Sequence, residues 1–121
     1  MTTSKRAILV SPRKFEVQTV VIPDPLEHQL LIRIGCCGLC NFELNHWKGL
    51  MGTCPQSLGH EWNGTVISTG TAVSDFKSGD RIAMLPKRGS LTGFSEYSLI
   101  DEEQCWHLPV LRQMQKSVTG N

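Results

Sequence analysis

Phe15, Val17, Thr19 and Val21 alternate with Glu16 and Gln18 along the chain, which is the two-residue period of a half-buried strand. An apolar run from Arg6 to Val10 comes before it, and the polar turn Ser11-Pro12-Arg13-Lys14 between the two predicts a hairpin. Pro23-Asp24-Pro25 ends the second strand, because proline has no N–H to give a ladder; Leu30, Ile32 and Ile34 then resume an alternating apolar face up to Gly35. From Cys40 to Trp47 that period stops. Phe42, Leu44 and Trp47 lie between Gly38 and Gly49, and a short helical turn is predicted there with Cys40 at its start. The segment Lys48 to Leu58, with Gly49, Gly52 and Pro55, reads as a flexible loop that brings His60 back towards Cys40. Further strands are predicted over Glu61 to Thr69, with Gly64 as a bulge or a close backbone approach, over Arg81 to Leu85, and over Phe94 to Ile100. Trp106 to Pro109 forms a closing apolar segment. Six or seven short strands with turns between them point to a closed or nearly closed antiparallel barrel.

Composition narrows the class. The 121 residues make one small domain, expected over residues 1–109 with a polar, frayed tail over 110–121. A chain of this size buries roughly two thirds of its surface on folding. Hydrophobic residues are 40% and the formal net charge is +1, so neither a nucleic-acid-binding field nor a self-repelling acidic surface is indicated. The expected partner is a small molecule, a metal or another protein. No run approaches the ~18 apolar residues of a membrane span, and the first residues lack the apolar core of a secretory signal; a cytoplasmic location is expected. Five cysteines are an odd number, and Cys36, Cys37 and Cys40 crowd together, which fits reduced thiols or metal ligands better than a disulfide framework.

The chemistry concentrates between Cys37 and Gly64. Cys40, His60 and Glu61 supply a thiolate, an imidazole and a carboxylate, side chains that bind zinc, and a three-ligand set leaves a fourth position open. A closed structural site would need four ligands, and Cys37 with Cys40 has no second pair of cysteines to complete it. A redox C-x-x-C reading needs a βαβ context that the pattern does not predict. No G-x-G-x-x-G occurs, so a dinucleotide has no recognisable phosphate cradle on this chain.

Four motifs in order, C-G-L-C-N-F-E-L at Cys37 to Leu44, G-H-E-W-N-G at Gly59 to Gly64, F-K-S-G-D-R-I-A at Phe76 to Ala83 and G-F-S-E-Y at Gly93 to Tyr97, resemble the zinc-dependent alcohol dehydrogenases of the medium-chain dehydrogenase/reductase family. The resemblance runs from about Ala7 to Pro109 and corresponds to that family's GroES-like catalytic domain. It implies a mainly β fold, a GroES-like, partly open antiparallel barrel with short helical turns. Cys40 and His60 match the cysteine and histidine ligands of the catalytic zinc. Glu61 matches a neighbouring glutamate that either joins the metal or stays just behind it. Glu43 stands where the family has an aspartate that orients the histidine ligand. Two further positions depart from the pattern: Phe42 replaces a hydroxyl residue that handles the substrate proton, and Asn45 replaces a histidine, with His46 as the candidate substitute. The segment near Pro86 to Leu91 has no cysteine, so a single catalytic-type ion is implied.

By this resemblance the chain is the catalytic portion of a zinc-dependent oxidoreductase acting on alcohols, polyols or carbonyl compounds. Its hydride acceptor, NAD or NADP, requires a Rossmann domain supplied elsewhere, and the chain alone is expected to be inactive. The rival reading is a stand-alone GroES-like module for metal binding or protein interaction with a vestigial site. In either reading, a barrel exposing apolar surface is open to association with another subunit.

Overall fold

A computed structural model of the chain describes residues 1–84 and 92–108. Two strands open it, β1 (Thr2–Ser11) and β2 (Lys14–Ile22), paired antiparallel from Thr2↔Ile22 to Ser11↔Lys14. Arg13 takes the left-handed conformation that so tight a turn demands, with φ 65°. There follow β3 (Gln29–Cys37), the helix α1 (Asn41–Trp47), β4 (Gln56–Ser57), β5 (Trp62–Thr69), β6 (Arg81–Met84), β7 (Tyr97–Asp101), a 3-10 turn (Glu102–Gln104) and β8 (Cys105–His107).

The strands form two antiparallel sheets, one of order β2-β1-β4 and one of order β7-β3-β5-β6-β8. The sheets meet where Ala7 N donates to Phe94 O at 2.8 Å, Glu96 N donates to Lys5 O at 3.0 Å, and Arg6 bridges Ser95. The described strands do not close into a barrel, and the partly open form is the one observed. β4, two residues long, ends the first sheet, and among the described strands β2, β4, β7 and β8 are all sheet edges. β4 also corrects the expectation of a flexible loop over Lys48 to Leu58: Gln56 and Ser57 pair with Leu9 and Ile8 and tie that loop to β1. Two residues carry no alternation for a pattern to show.

The core lies in the larger sheet. Leu30 and Ile32 of β3, Trp62 and Val66 of β5, Ile82 and Met84 of β6, Ile100 of β7 and Cys105 of β8 form one buried cluster. Each large apolar side chain buried this way contributes about 1.5–3 kcal/mol. Gly64 is a close backbone approach: a Cβ there would run into the carbonyl oxygen of Arg33 on β3. Opposite it, the β3–β5 register slips between Ile34 and Cys36, so Gly35 is the extra residue of a bulge. That bulge delivers Cys36 and Cys37 to the end of the strand. Among the described residues no helix is long and apolar enough to cross a membrane. Leu85, the cysteine-free segment near Pro86 to Leu91, Pro109 and the tail over 110–121 lie outside the described residues.

Candidate metal centre

α1 is placed by its first cap. Cys40 is extended at φ −137°, and its Sγ accepts the Phe42 N–H at 3.3 Å, satisfying one of the free donors of the first turn. Glu43 follows three residues on, the spacing that puts it on the same helical face as Cys40. The Cys40 thiol donates to Glu43 Oε2 across 3.9 Å.

His60 arrives from the opposite side. Gly59, at φ +103°, is pressed against Gly93, whose Cα would lie 2.7 Å from a Cβ at residue 59. Two hydrogen bonds hold that contact, Gly93 N to Gly59 O at 3.0 Å and Phe94 N to Leu58 O at 3.2 Å. Only glycine at 59 allows both the positive φ and the approach. From this clamp the His60 ring reaches Glu43, and Nδ1 lies 2.8 Å from Oε2. A carboxylate accepts, so Nδ1 carries the proton and Nε2 keeps its lone pair. That lone pair faces Cys40 Sγ at 3.9 Å and Glu61 Oε1 at 3.3 Å.

These separations suit a zinc ion. Bonds of about 2.3 Å to sulfur and 2.0–2.2 Å to nitrogen or oxygen, at a tetrahedral angle, place S and N about 3.6 Å apart and N and O about 3.4 Å apart. The Cys40 Sγ–His60 Nε2 and His60 Nε2–Glu61 Oε1 pairs each come near that scale, but among the described residues the group whose ligand atoms all lie within 4.8 Å of one another is Cys40, Glu43 and His60, without Glu61. Glu43, however, occupies the nitrogen that faces away from Cys40, so its contact orients His60 from behind. Glu43 is 3% exposed, and its Oε1 is buried with no hydrogen-bond partner. Glu61 is exposed, while its carbonyl accepts the Gly38 N–H at 2.6 Å and ties the histidine segment to the cysteine loop.

The remaining candidates sit apart from this group. His46 is buried and donates Nδ1–H to the Phe42 carbonyl at 2.7 Å. Its ring packs on Phe42 with centroids 4.3 Å apart, and Phe42 in turn packs on His60 at 4.8 Å. Phe42 therefore stands between the two imidazoles. Asn45 is half-buried on α1, and its carbonyl accepts from Leu50 N at 3.0 Å. Burial, then the carboxylates of Glu43 and Glu61, push the Cys37 thiol up to about 11, so it stays protonated at neutral pH. Cys40 opens on an apolar cleft of about 430 Å³ walled by Leu39, Leu44, Trp47 and Phe94. A larger, wide-open groove of about 1260 Å³ beside His28, Phe76 and Trp106 contains none of these candidate residues. The Gly59–Gly93 clamp and Phe94 escape sequence reasoning, since their partners lie more than thirty residues away; the glycine before His60 was the one local sign.

Residues 26–110 match the family described as the alcohol dehydrogenase GroES-like domain. The chain is 36% identical over 100 residues to the D-arabinose 1-dehydrogenase (NADP(+)) of Saccharolobus solfataricus, covering 76% of this chain and 28% of that protein. It is 30% identical over 83 residues to the sorbitol dehydrogenase of Ovis aries, covering 65% and 23%. Among solved structures it is similar to a protein assigned as a zinc-binding dehydrogenase from Sinorhizobium meliloti 1021, bound to NADP. That match has a TM-score of 0.75 and 27% identity, and covers 91% of this chain and 40% of the other. The chain thus spans about a quarter of the length of the curated relatives it matches.

Proposed function

This chain belongs to the alcohol dehydrogenase GroES-like domain family, and from that premise we propose that it is the catalytic-domain portion, residues 1–109 with a polar tail over 110–121, of a zinc-dependent oxidoreductase. Cys40, His60 and Glu61 hold the ion, and Glu43 orients His60. The observation that carries the reading is the pairing of His60 Nδ1 with Glu43 at 2.8 Å, which leaves Nε2 aimed at Cys40 and Glu61. When bound, zinc supplies Lewis-acid polarisation of a substrate oxygen.

The chain's own residues do the rest. The apolar walls Leu39, Leu44, Trp47 and Phe94 bind the carbon skeleton of a small alcohol, polyol or carbonyl compound and exclude water beside Cys40. NAD or NADP would supply the hydride acceptor and would be held by residues outside these 121, which carry no glycine-rich phosphate cradle, so we expect no turnover by them alone. Phe42 offers no hydroxyl, and His46 spends Nδ1 on the Phe42 carbonyl, so neither supplies the usual route for the substrate proton. The five cysteines are all free thiols, which suits a reducing compartment, and we place the protein in the cytoplasm.

Zinc analysis of the purified chain tests the reading. About one equivalent, lost in Cys40→Ala with the fold retained by circular dichroism, supports it. No zinc in the wild type, with unchanged stability in the variant, makes the site vestigial and the chain a binding module.

A further inference from the structure

We propose that the outer edge of β2 is a docking surface for β2 of a second copy of this chain, the two strands pairing antiparallel about Gln18 so that two three-stranded sheets become one. In an antiparallel ladder the N–H and C=O of one residue point to the same side, and the side alternates along the strand. Ala7 N and Lys5 O bond to Phe94 and Glu96, away from β2. The neighbours Ser4, Arg6 and Ile8 therefore face β2, where their partners are Val20, Gln18 and Glu16. It follows that Phe15, Val17, Thr19 and Val21 turn their N–H and C=O groups to the open edge.

Among the described residues, nothing blunts that edge. β2 is nine residues long, is the terminal strand of its sheet, and contains no proline; its register to β1 is regular up to the turn. Charges occur only at Lys14 and Glu16, at one end. The edge-facing residues also carry exposed apolar side chains, with Val17 70%, Val21 60% and Phe15 37% exposed. Natural sheets protect long edges with charge, proline or bulges, because an open edge is a template for another strand. Of the β2 side chains, Ile22 is buried and Phe15 packs edge-on against Phe94 with ring centroids 6.0 Å apart.

The strand is complementary to itself. A two-fold axis through Gln18 sets Phe15 opposite Val21 and Val17 opposite Thr19, all with edge-facing groups, for about eight hydrogen bonds. Lys14 then faces Ile22 and Glu16 faces Val20, so no like charges oppose each other. A register shifted by one residue sets edge-facing groups against groups already bonded to β1, which excludes it. The apolar side chains of both copies fall on one face of the joined sheet.

Light scattering of the full 121-residue chain, with two sets of variants, tests this. The expected result is a dimer that Val17→Lys with Thr19→Lys converts to monomer, lowering the dimer fraction at least tenfold with the circular dichroism spectrum unchanged. Gln18 and its copy form a non-hydrogen-bonded pair, with Cα atoms about 4.5 Å apart, a spacing a disulfide can span. Mild oxidation of Gln18→Cys should then link the two introduced thiols across the axis, read by peptide mass analysis, and Val20→Cys should give no such link. If the double-lysine variant fails to fold, the crosslink pattern decides. A monomer at every concentration, a dimer indifferent to the lysines, or equal linking at the two positions overturns the proposal.

Discussion

Glu43 Oε2 accepts from His60 Nδ1 at 2.8 Å, joining the first turn of α1 to the segment that precedes β5. One contact thus sets both the tautomer of His60 and the direction of its free lone pair. Glu43→Ala should weaken zinc binding by about 10–100-fold, as loss of such an orienting partner does elsewhere. Competition with a chromogenic chelator measures it; an unchanged affinity would remove Glu43 from the site.

Gly59 and Gly64 build the site by being small. Gly64→Ala forces a Cβ onto the Arg33 carbonyl at the β3–β5 pairing, and should lower stability by about 1–3 kcal/mol, read from the urea midpoint. Gly59→Ala should also weaken zinc binding, because the residue it displaces is attached to His60.

Burial, followed by the carboxylate of Asp101, pushes the Cys105 thiol up to about 12 from its ordinary 9.0. The folded chain therefore holds that proton to higher pH than the unfolded chain does. Below pH 9 the contribution is fully present; between pH 9 and about 12 the unfolded state releases its proton first and stability falls. Denaturation midpoints measured across that window should decline less steeply in Cys105→Ala. At pH 8, Cys36, which is exposed, should react with a thiol reagent well before Cys105.

His28 shows the opposite local cause. Its hydrogen bond to Glu102, Nδ1 to Oε2 at 2.9 Å, raises its pKa above 6.5 against a smaller loss from desolvation. The stabilisation is complete below pH 6.5 and disappears as the pH rises through the raised value. Because the pair is exposed it is screened by salt. A proton NMR titration should find the His28 pKa above 6.5 in the wild type and lower in Glu102→Gln; equal values would show that the pair does not form in solution.

Much of this molecule is legible in order along the chain. Alternation at Phe15 to Val21 and at Leu30 to Ile34, with turns at Pro12-Arg13 and Pro23-Asp24-Pro25, marked the hairpin and β3 as strands, but burial does not follow the alternation: Phe15, Val17, Thr19 and Val21 are exposed along with Glu16 and Gln18, so β2 is not half-buried, and in β3 Leu30, Leu31 and Ile32 are buried in succession. The same reading placed a short helix after Cys40 and picked out Cys40, His60 and Glu61 as ligand types. Only the tertiary structure decided what those residues face. The strand from Glu61 begins one residue later, at Trp62, and the strand read from Phe94 becomes a bridge at Ser95 before β7. The site depends on contacts between distant segments: Glu43 behind His60, Phe42 dividing His46 from it, and Gly93 locking Gly59. Whether the strands closed was likewise undecided by local pattern. Pattern marks where a strand lies, whereas which of its residues are buried and whether the strands close depend on which faces and edges find partners, and those partners are chosen by the packing of the whole chain.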